Sequence, residues 1–157
     1  VEAAERLLWE AITIGEELSA DLVQIRAHYH LGNAALKSNN LENAWKEVQK
    51  SIEKAESAGI QLMIACGYRL RGGILIKKMT FDSARENILG SLVIFENLGE
   101  HFEMAWTLRS YARLLIARGE EERALAYLQQ AASTFANINA ERELTKTQYE
   151  ISRLKFS

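Results

Sequence analysis

The sequence contains no proline and only one cysteine among its 157 residues. Because proline interrupts helices and punctuates most loops, its absence favours long helices joined by short turns. The lone Cys66 excludes an intramolecular disulfide, which favours a reducing, cytoplasmic location. The sequence also lacks a leader segment and any apolar run of the roughly 18 residues that a membrane span requires.

Charge of one sign is missing as well, since 19 basic and 21 acidic residues give a formal net charge of -2. This balance argues against nucleic acid or a membrane surface as the partner. The hydrophobic content of 48% is that of a globular protein with a sizeable buried core. The first residue, Val1, lies in what reads as the middle of a helix, so we expect the chain to be a piece of a longer protein.

The chain repeats itself with a period of 40 residues. An alanine marks each period, with a large apolar residue four positions later and a small residue seven positions later, all on one helical face. These sets are Ala4, Leu8 and Ala11; Ala44, Val48 and Ser51; Ala84, Ile88 and Ser91; and Ala124, Leu128 and Ala131. Twelve positions before the last three alanines, where two helices must approach closely, stand Gly32, Gly72 and Ala112.

A period of this length indicates a solenoid of helical hairpins, in which each unit packs on its neighbours. We predict an all-α fold of eight helices, at 2–18, 21–37, 41–58, 61–78, 82–98, 102–118, 121–138 and 141–156. We expect left-handed residues after helix ends at Gly59, Gly99 and Asn139, and N-caps at Asp21 and Asp82. The whole chain is then one domain, with the second helix of a truncated repeat at 1–18, three full repeats at 21–58, 61–98 and 102–138, and a terminal helix at 141–156.

The order of small residue, twelve-residue gap, alanine, large residue and small residue resembles the tetratricopeptide repeat over the whole chain. The sequence departs from that family in its 40-residue period, in lacking the helix-ending proline, and in the residues at the usual aromatic position, His28, Tyr68 and Leu108. Forty-residue versions resemble those of bacterial regulatory and signalling proteins. The resemblance implies a right-handed superhelix of antiparallel hairpins, whose first helices line a concave groove that binds peptides and whose second helices form the convex outside.

Charges are sorted along the repeat in a way that the net charge hides. Three segments, 22–41, 57–81 and 104–119, contain no acidic residue and nine basic ones. The family's groove positions fall on Arg26, Tyr29, Asn33, Lys37, Cys66, Arg69, Gly73, Lys77, Trp106, Arg109, Arg113, Lys146, Tyr149 and Arg153. Because arginine forks suit carboxylates, we predict a basic groove that binds an acidic or extended peptide, from another protein or from another domain of the same parent.

Groove binding predicts that Arg69→Glu and Arg109→Glu abolish partner capture without unfolding the protein. The alternatives are a solvated basic face with no ligand, and a structural spacer that self-associates through the stripe of Leu7, Leu8 and Ala11. Trp106 could anchor a partner's apolar side chain or pack between helices.

No residue pattern indicates catalysis, a cofactor or a metal site. His28 and His30 point to roughly opposite sides of a helix, so they cannot share a metal ion. Cys66 has no histidine partner at a fixed spacing and reads as an inert small residue. Gly72 and Gly73 lie inside a predicted helix and indicate close packing rather than a phosphate loop. We therefore predict a binding module and not an enzyme.

Overall fold

A computed structural model describes residues 2–17 and 20–155. The described chain is all α-helical, which confirms the predicted fold class. Its eight helices are α1 (Glu2–Glu17), α2 (Asp21–Lys37), α3 (Leu41–Ser57), α4 (Gln61–Lys77), α5 (Phe81–Leu98), α6 (His101–Ala117), α7 (Glu121–Asn137) and α8 (Glu141–Lys155). These bounds differ from the predicted ones by one residue at several ends, and the predicted ends at Leu18 and Phe156 lie outside the described residues.

Each repeat packs as an antiparallel hairpin through the small residues that the period marks. A methyl group on Gly32 would lie 3.2 Å from the backbone nitrogen of Val48 and 3.3 Å from the carbonyl oxygen of Ala44. At the equivalent place in the next hairpin, a methyl group on Gly72 would lie 2.5 Å from a side-chain carbon of Ile88. Small residues therefore set the distance between the paired helices, because a larger side chain would force them apart.

The six turns between α2 and α8 follow a regular 20-residue spacing, with one left-handed residue in each. These residues are Asn39, Gly59, Met79, Gly99, Gly119 and Asn139, with φ between 56° and 78°. The predictions for Gly59, Gly99 and Asn139 are confirmed. Glycine and asparagine adopt this conformation at little cost, whereas Met79 adopts it with a side chain that disfavours it.

The prediction that Asp21 and Asp82 are N-caps is wrong. Asp21 is the first residue of α2, after the N-cap residue Ala20, and Asp82 is the second residue of α5, after Phe81 and the N-cap residue Thr80. The N-cap residue therefore precedes the aspartate by one position in α2 and by two positions in α5. Both carboxylates lie in a first turn, where they interact favourably with the helix dipole.

Candidate binding surface on the first helices

The helices fall into two groups by what they contact. The first helices of the hairpins are α2, α4 and α6, and α8 continues their series. The structure packs α2 directly against α4 and α4 against α6, whereas α3, α5 and α7 each pack between the first helices on either side. Neighbouring first helices among α2, α4 and α6 therefore contact one another directly. We call the surface that α2, α4, α6 and α8 form the inner face.

A cavity of about 470 Å³ opens on the inner face where α2, α4 and α6 meet. Apolar and sulfur-containing side chains dominate its wall, and a few polar groups join them. The residues that line it are Leu22, Arg26, Tyr29, His30, Asn33, Ile60, Leu62, Met63, Cys66, Arg69, Glu103 and Trp106. We call it the inner cavity. It brings together six of the predicted groove residues, namely Arg26, Tyr29, Asn33, Cys66, Arg69 and Trp106.

Arg69 forms one wall of the inner cavity and is held by α6. Its Nη2 lies 2.6 Å from Oε2 of Glu103, and its Nη1 donates to the Glu103 carbonyl oxygen at 3.1 Å and to Oγ1 of Thr107 at 3.2 Å. Its guanidinium lies 4.7 Å from the ring centre of Trp106 and 5.1 Å from that of Phe95. Arg69 is only 6% exposed. Burial opposes its charge, but Tyr29 and Glu103 outweigh burial and raise its pKa.

Three titratable groups of the inner cavity, Cys66, Tyr29 and His30, have pKa values shifted towards their uncharged forms. Burial raises the pKa of the Cys66 thiol to about 11, so the thiol is protonated at neutral pH and is a poor nucleophile. Burial also raises the pKa of the Tyr29 hydroxyl. The pKa of His30 is lowered, first by desolvation and then by the charges of Arg26 and Lys37. The cavity therefore offers a mostly neutral interior at neutral pH.

Arg109 repeats the Arg69 arrangement one period later, against α8. Its Nη1 lies 2.6 Å from Oε2 of Glu143, and its Nη2 lies 2.7 Å from Oε1 of Glu150. Arg113 reaches the same Glu150 oxygen at 2.5 Å. Arg109 is 2% exposed, so two carboxylates close around a buried guanidinium. Burial raises the pKa of both carboxyl groups, but hydrogen bonds from Arg109, Arg113 and Lys146 outweigh it, and the net pKa of each is lowered.

These contacts correct the picture of Arg69 and Arg109 as free groove cations. Both are buried and paired with acids. A glutamate at position 69 would therefore place two carboxylates together inside the protein, and one at position 109 would place three together. The prediction that Arg69→Glu and Arg109→Glu would leave the fold intact conflicts with this geometry. The acid-free segment 104–119 missed the contact because it begins one residue after Glu103, which lies in the first turn of α6.

The other predicted groove residues lie at the surface of the inner face or near it. Asn33 is half-buried, and the exposed residues are Arg26, Lys37, Lys77, Arg113, Lys146, Tyr149 and Arg153. Lys77 donates to Oδ1 of Asn39 at 3.2 Å, and Lys146 pairs with Glu143 at 2.7 Å. The inner cavity is not lined by Lys77 or Arg109, nor by the predicted groove residues of α8, which are Lys146, Tyr149 and Arg153.

Sequence reasoning also missed an apolar row at the edge of the inner face. Leu22, Leu62 and Phe102 are separated by one period each, and each is the second residue of its helix. They remain 47%, 39% and 37% exposed. Their 40-residue spacing was the signal that the sequence offered. The row ends at α8, where the equivalent position carries Arg142.

The stacked hairpins and their continuous inner face define the chain as a helical-repeat solenoid. Residues 63–136, which run from α4 into α7, match the family model of the tetratricopeptide repeat. Repeats of this family are non-catalytic and generally mediate protein–protein interactions. No curated protein shows significant similarity to the chain. None of the described helices is both long enough and apolar enough to cross a membrane.

Proposed function

We propose that the inner face binds an acidic or extended peptide segment of another protein, or of another domain of the same parent protein. The observation that carries the proposal is the inner cavity with the exposed Arg26 at its edge. Because first helices present side chains at regular spacing along a curved surface, an extended chain can contact several repeats at once. The 40-residue period further supports a place for the module in a regulatory or signalling protein of the cytoplasm.

With Arg69 and Arg109 buried in ion pairs, we assign the attraction for acids to three of the exposed basic residues of the inner face, Arg26, Lys37 and Lys77. Among the described residues, no carboxylate forms an ion pair with Arg26, Lys37 or Lys77. An arriving carboxylate therefore meets charges that are not already neutralised, and it would not need to displace a buried acid. Such exposed pairs contribute modestly to affinity one by one, about 0 to 1 kcal/mol each, and more strongly to the association rate.

The test compares an inner-face triple variant with a matched outer-face variant. The first carries Arg26→Glu, Lys37→Glu and Lys77→Glu, and the second carries Arg6→Glu, Lys46→Glu and Arg85→Glu, which change exposed residues of α1, α3 and α5. Each protein is applied to an array of random dodecapeptides at low and high salt. We expect acid-rich peptides to bind the unsubstituted protein and the outer-face variant with similar affinity. Their affinity for the inner-face variant should be lower by about tenfold or more.

Equal losses in both variants would show that net charge alone attracts the peptides. Binding that neither variant changes would contradict the use of the inner face. Circular dichroism on all three proteins confirms that folding is equal, which is expected because all six substituted side chains are exposed.

A second candidate function is self-association or spacing through α1. Of its predicted apolar stripe, only Leu7 is strongly exposed, at 59%. Leu8 and Ala11 are half-buried because they pack against the buried Ile12, Ala27 and Leu31. Trp9 and Ile14 add exposed apolar surface, and this surface favours the candidate. Sedimentation equilibrium decides it: a dimer that Leu7→Glu dissociates, with the inner-face triple variant still dimeric, supports self-association, and a monomer at all concentrations excludes it.

A further inference from the structure

The inner cavity differs in chemistry from the charged positions that surround it. Its apolar wall includes the exposed Leu22 and Leu62 at the mouth and the buried Met63 and Cys66 in the interior. Methionine is unbranched and polarisable, so it adapts to apolar groups of different shapes. Trp106, half-buried, supplies an aromatic surface on the α6 side.

The two charged groups inside the wall, the buried Arg69 and the half-buried Glu103, are already paired with each other. The Arg69 guanidinium is bonded to Glu103 and Thr107, and its ion pair with Glu103 neutralises that carboxylate. An apolar side chain that enters would therefore leave no buried charge without its partner, which is the main penalty for covering polar groups. A carboxylate that enters as deeply would have to compete with Glu103 for Arg69.

The size of the inner cavity suits a large side chain. Its volume of about 470 Å³ exceeds the space of one leucine or phenylalanine side chain and lies within the range of roughly 300 to 1,000 Å³ that small-ligand pockets span. The cavity is open at the mouth, where Arg26 is exposed. Arg26 lies near His30, whose pKa is lowered mainly by desolvation and secondly by the charge of Arg26. Arg26 thus stands at the entrance as an exposed cation, whereas the cation inside, Arg69, is buried and paired with Glu103.

We propose that the peptide bound by the inner face places a bulky apolar side chain, phenylalanine, leucine or methionine, in the inner cavity and an adjacent aspartate or glutamate on Arg26. The inference rests on the proposed function, because it names the kind of peptide that this site accepts. It assigns the apolar part of recognition to α2, α4 and α6, and the acid part to the one cation at the cavity mouth.

The experiment uses blocked dodecapeptide probes of glycine and serine that carry a central Phe–Asp or Asp–Phe pair. Matched probes carry Ala–Asp, Phe–Asn, or four aspartates with no apolar residue. Binding is followed by the nuclear magnetic resonance signals of the three tryptophan indoles, since Trp106 lines the cavity while Trp9 and Trp45 lie on α1 and α3. We expect the Phe–Asp probes to shift the Trp106 signal and to bind about tenfold more tightly than Ala–Asp.

Two pairs of variants assign the contacts. Arg26→Gln is expected to weaken the Phe–Asp probes about fivefold and to leave Phe–Asn unchanged, while the control Lys46→Gln changes neither. Leu62→Ala, at the cavity mouth, is expected to weaken every phenylalanine probe, while Leu98→Ala, a similarly exposed leucine of α5, does not.

The outcomes separate this inference from the proposed function. If the four-aspartate probe binds the inner face as tightly as Phe–Asp, the peptide site stands and the role of the cavity is wrong. If the phenylalanine probes shift Trp9 or Trp45 in place of Trp106, the cavity is also the wrong place. If no probe perturbs any inner-face signal, both the inference and the proposed function fail.

Discussion

Equivalent positions at the two ends of the inner face carry opposite chemistry. Between α2 and α4, Tyr29 and Met63 occupy the places that Arg109 and Glu143 occupy between α6 and α8, two periods later. The first junction has uncharged side chains and opens into the inner cavity, whereas the last is closed by a buried guanidinium and two carboxylates. The middle junction, with Arg69 and Glu103, combines an ion pair with one wall of the cavity.

This difference shows how one repeat position serves either packing or binding. A buried ion pair fixes the relative position of two helices, but its charges are satisfied and offer nothing to a ligand. An aromatic and a thioether at the same place hold the helices without using the whole space between them. We therefore expect the α2–α4 end to recognise partners and the α6–α8 end to hold the array together.

The largest expected effect comes from removing the cation of the closed junction. Arg109→Met removes the buried partner of Glu143 and Glu150 and leaves them only the exposed Lys146 and Arg113, so we expect a loss of about 3 to 5 kcal/mol in the free energy of unfolding. Arg69→Met should cost less, because it leaves one carboxylate and not two. Urea unfolding followed by circular dichroism measures both, with the exposed Arg142→Met as the control.

The second prediction converts the middle junction into an uncharged one. Arg69→Met together with Glu103→Met removes both members of the ion pair, so no unpaired charge remains. We expect the double variant to regain about 2 kcal/mol of the loss caused by Arg69→Met alone, since buried pairs are often replaceable by apolar side chains of similar volume. If the double variant is no more stable than Arg69→Met alone, the unpaired charge of Glu103 is not what destabilises the single variant. The lost stacking of the Arg69 guanidinium on Trp106 and Phe95 then dominates.

The third prediction is that a falling pH first weakens the packing of α8 at the junction with α6. The pKa values of Glu143 and Glu150 are lowered in the folded protein from the ordinary 4.5. Their stabilisation is therefore complete above the unfolded pKa and is lost as the pH falls through the folded pKa. Amide exchange, corrected for intrinsic rates, should show α8 losing protection below about pH 4.5. Glu143→Gln with Glu150→Gln should remove this dependence, and the exposed Glu141→Gln should not.

The architecture was predictable because it rests on spacing. Alanine at each period and glycine twelve positions before it define which faces of two helices meet, and a missing methyl group has direct geometric consequences at Gly32 and Gly72. Turns were predictable where glycine or asparagine occupied the left-handed position. Met79 was not, because methionine is a poor signal for that conformation and only the 20-residue spacing of the turns indicates it.

The chemistry of the site was less predictable, because a period shows which way a residue points and not how deeply it lies. Arg69 and Arg109 share the position of Tyr29, yet their charges are cancelled by acids 34 residues further along the chain. That repeated 34-residue separation, from Arg69 to Glu103 and from Arg109 to Glu143, was present in the sequence. Because the arginine and the glutamate lie on two different helices, neither helical periodicity nor the local run of basic residues reveals that they form an ion pair.

The smallest expected effect tests whether burial, and not pairing alone, distinguishes the closed junction. Arg113 contacts the same Glu150 oxygen as Arg109, but its side chain is 49% exposed where that of Arg109 is 3% exposed. Because water can replace an exposed guanidinium, Arg113→Met should cost less than about 1 kcal/mol. The same urea unfolding measures it beside Arg109→Met. A loss as large as that of Arg109→Met would mean that Glu150 depends on the total positive charge around it, and the contrast between the two ends would then rest on charge number rather than on burial.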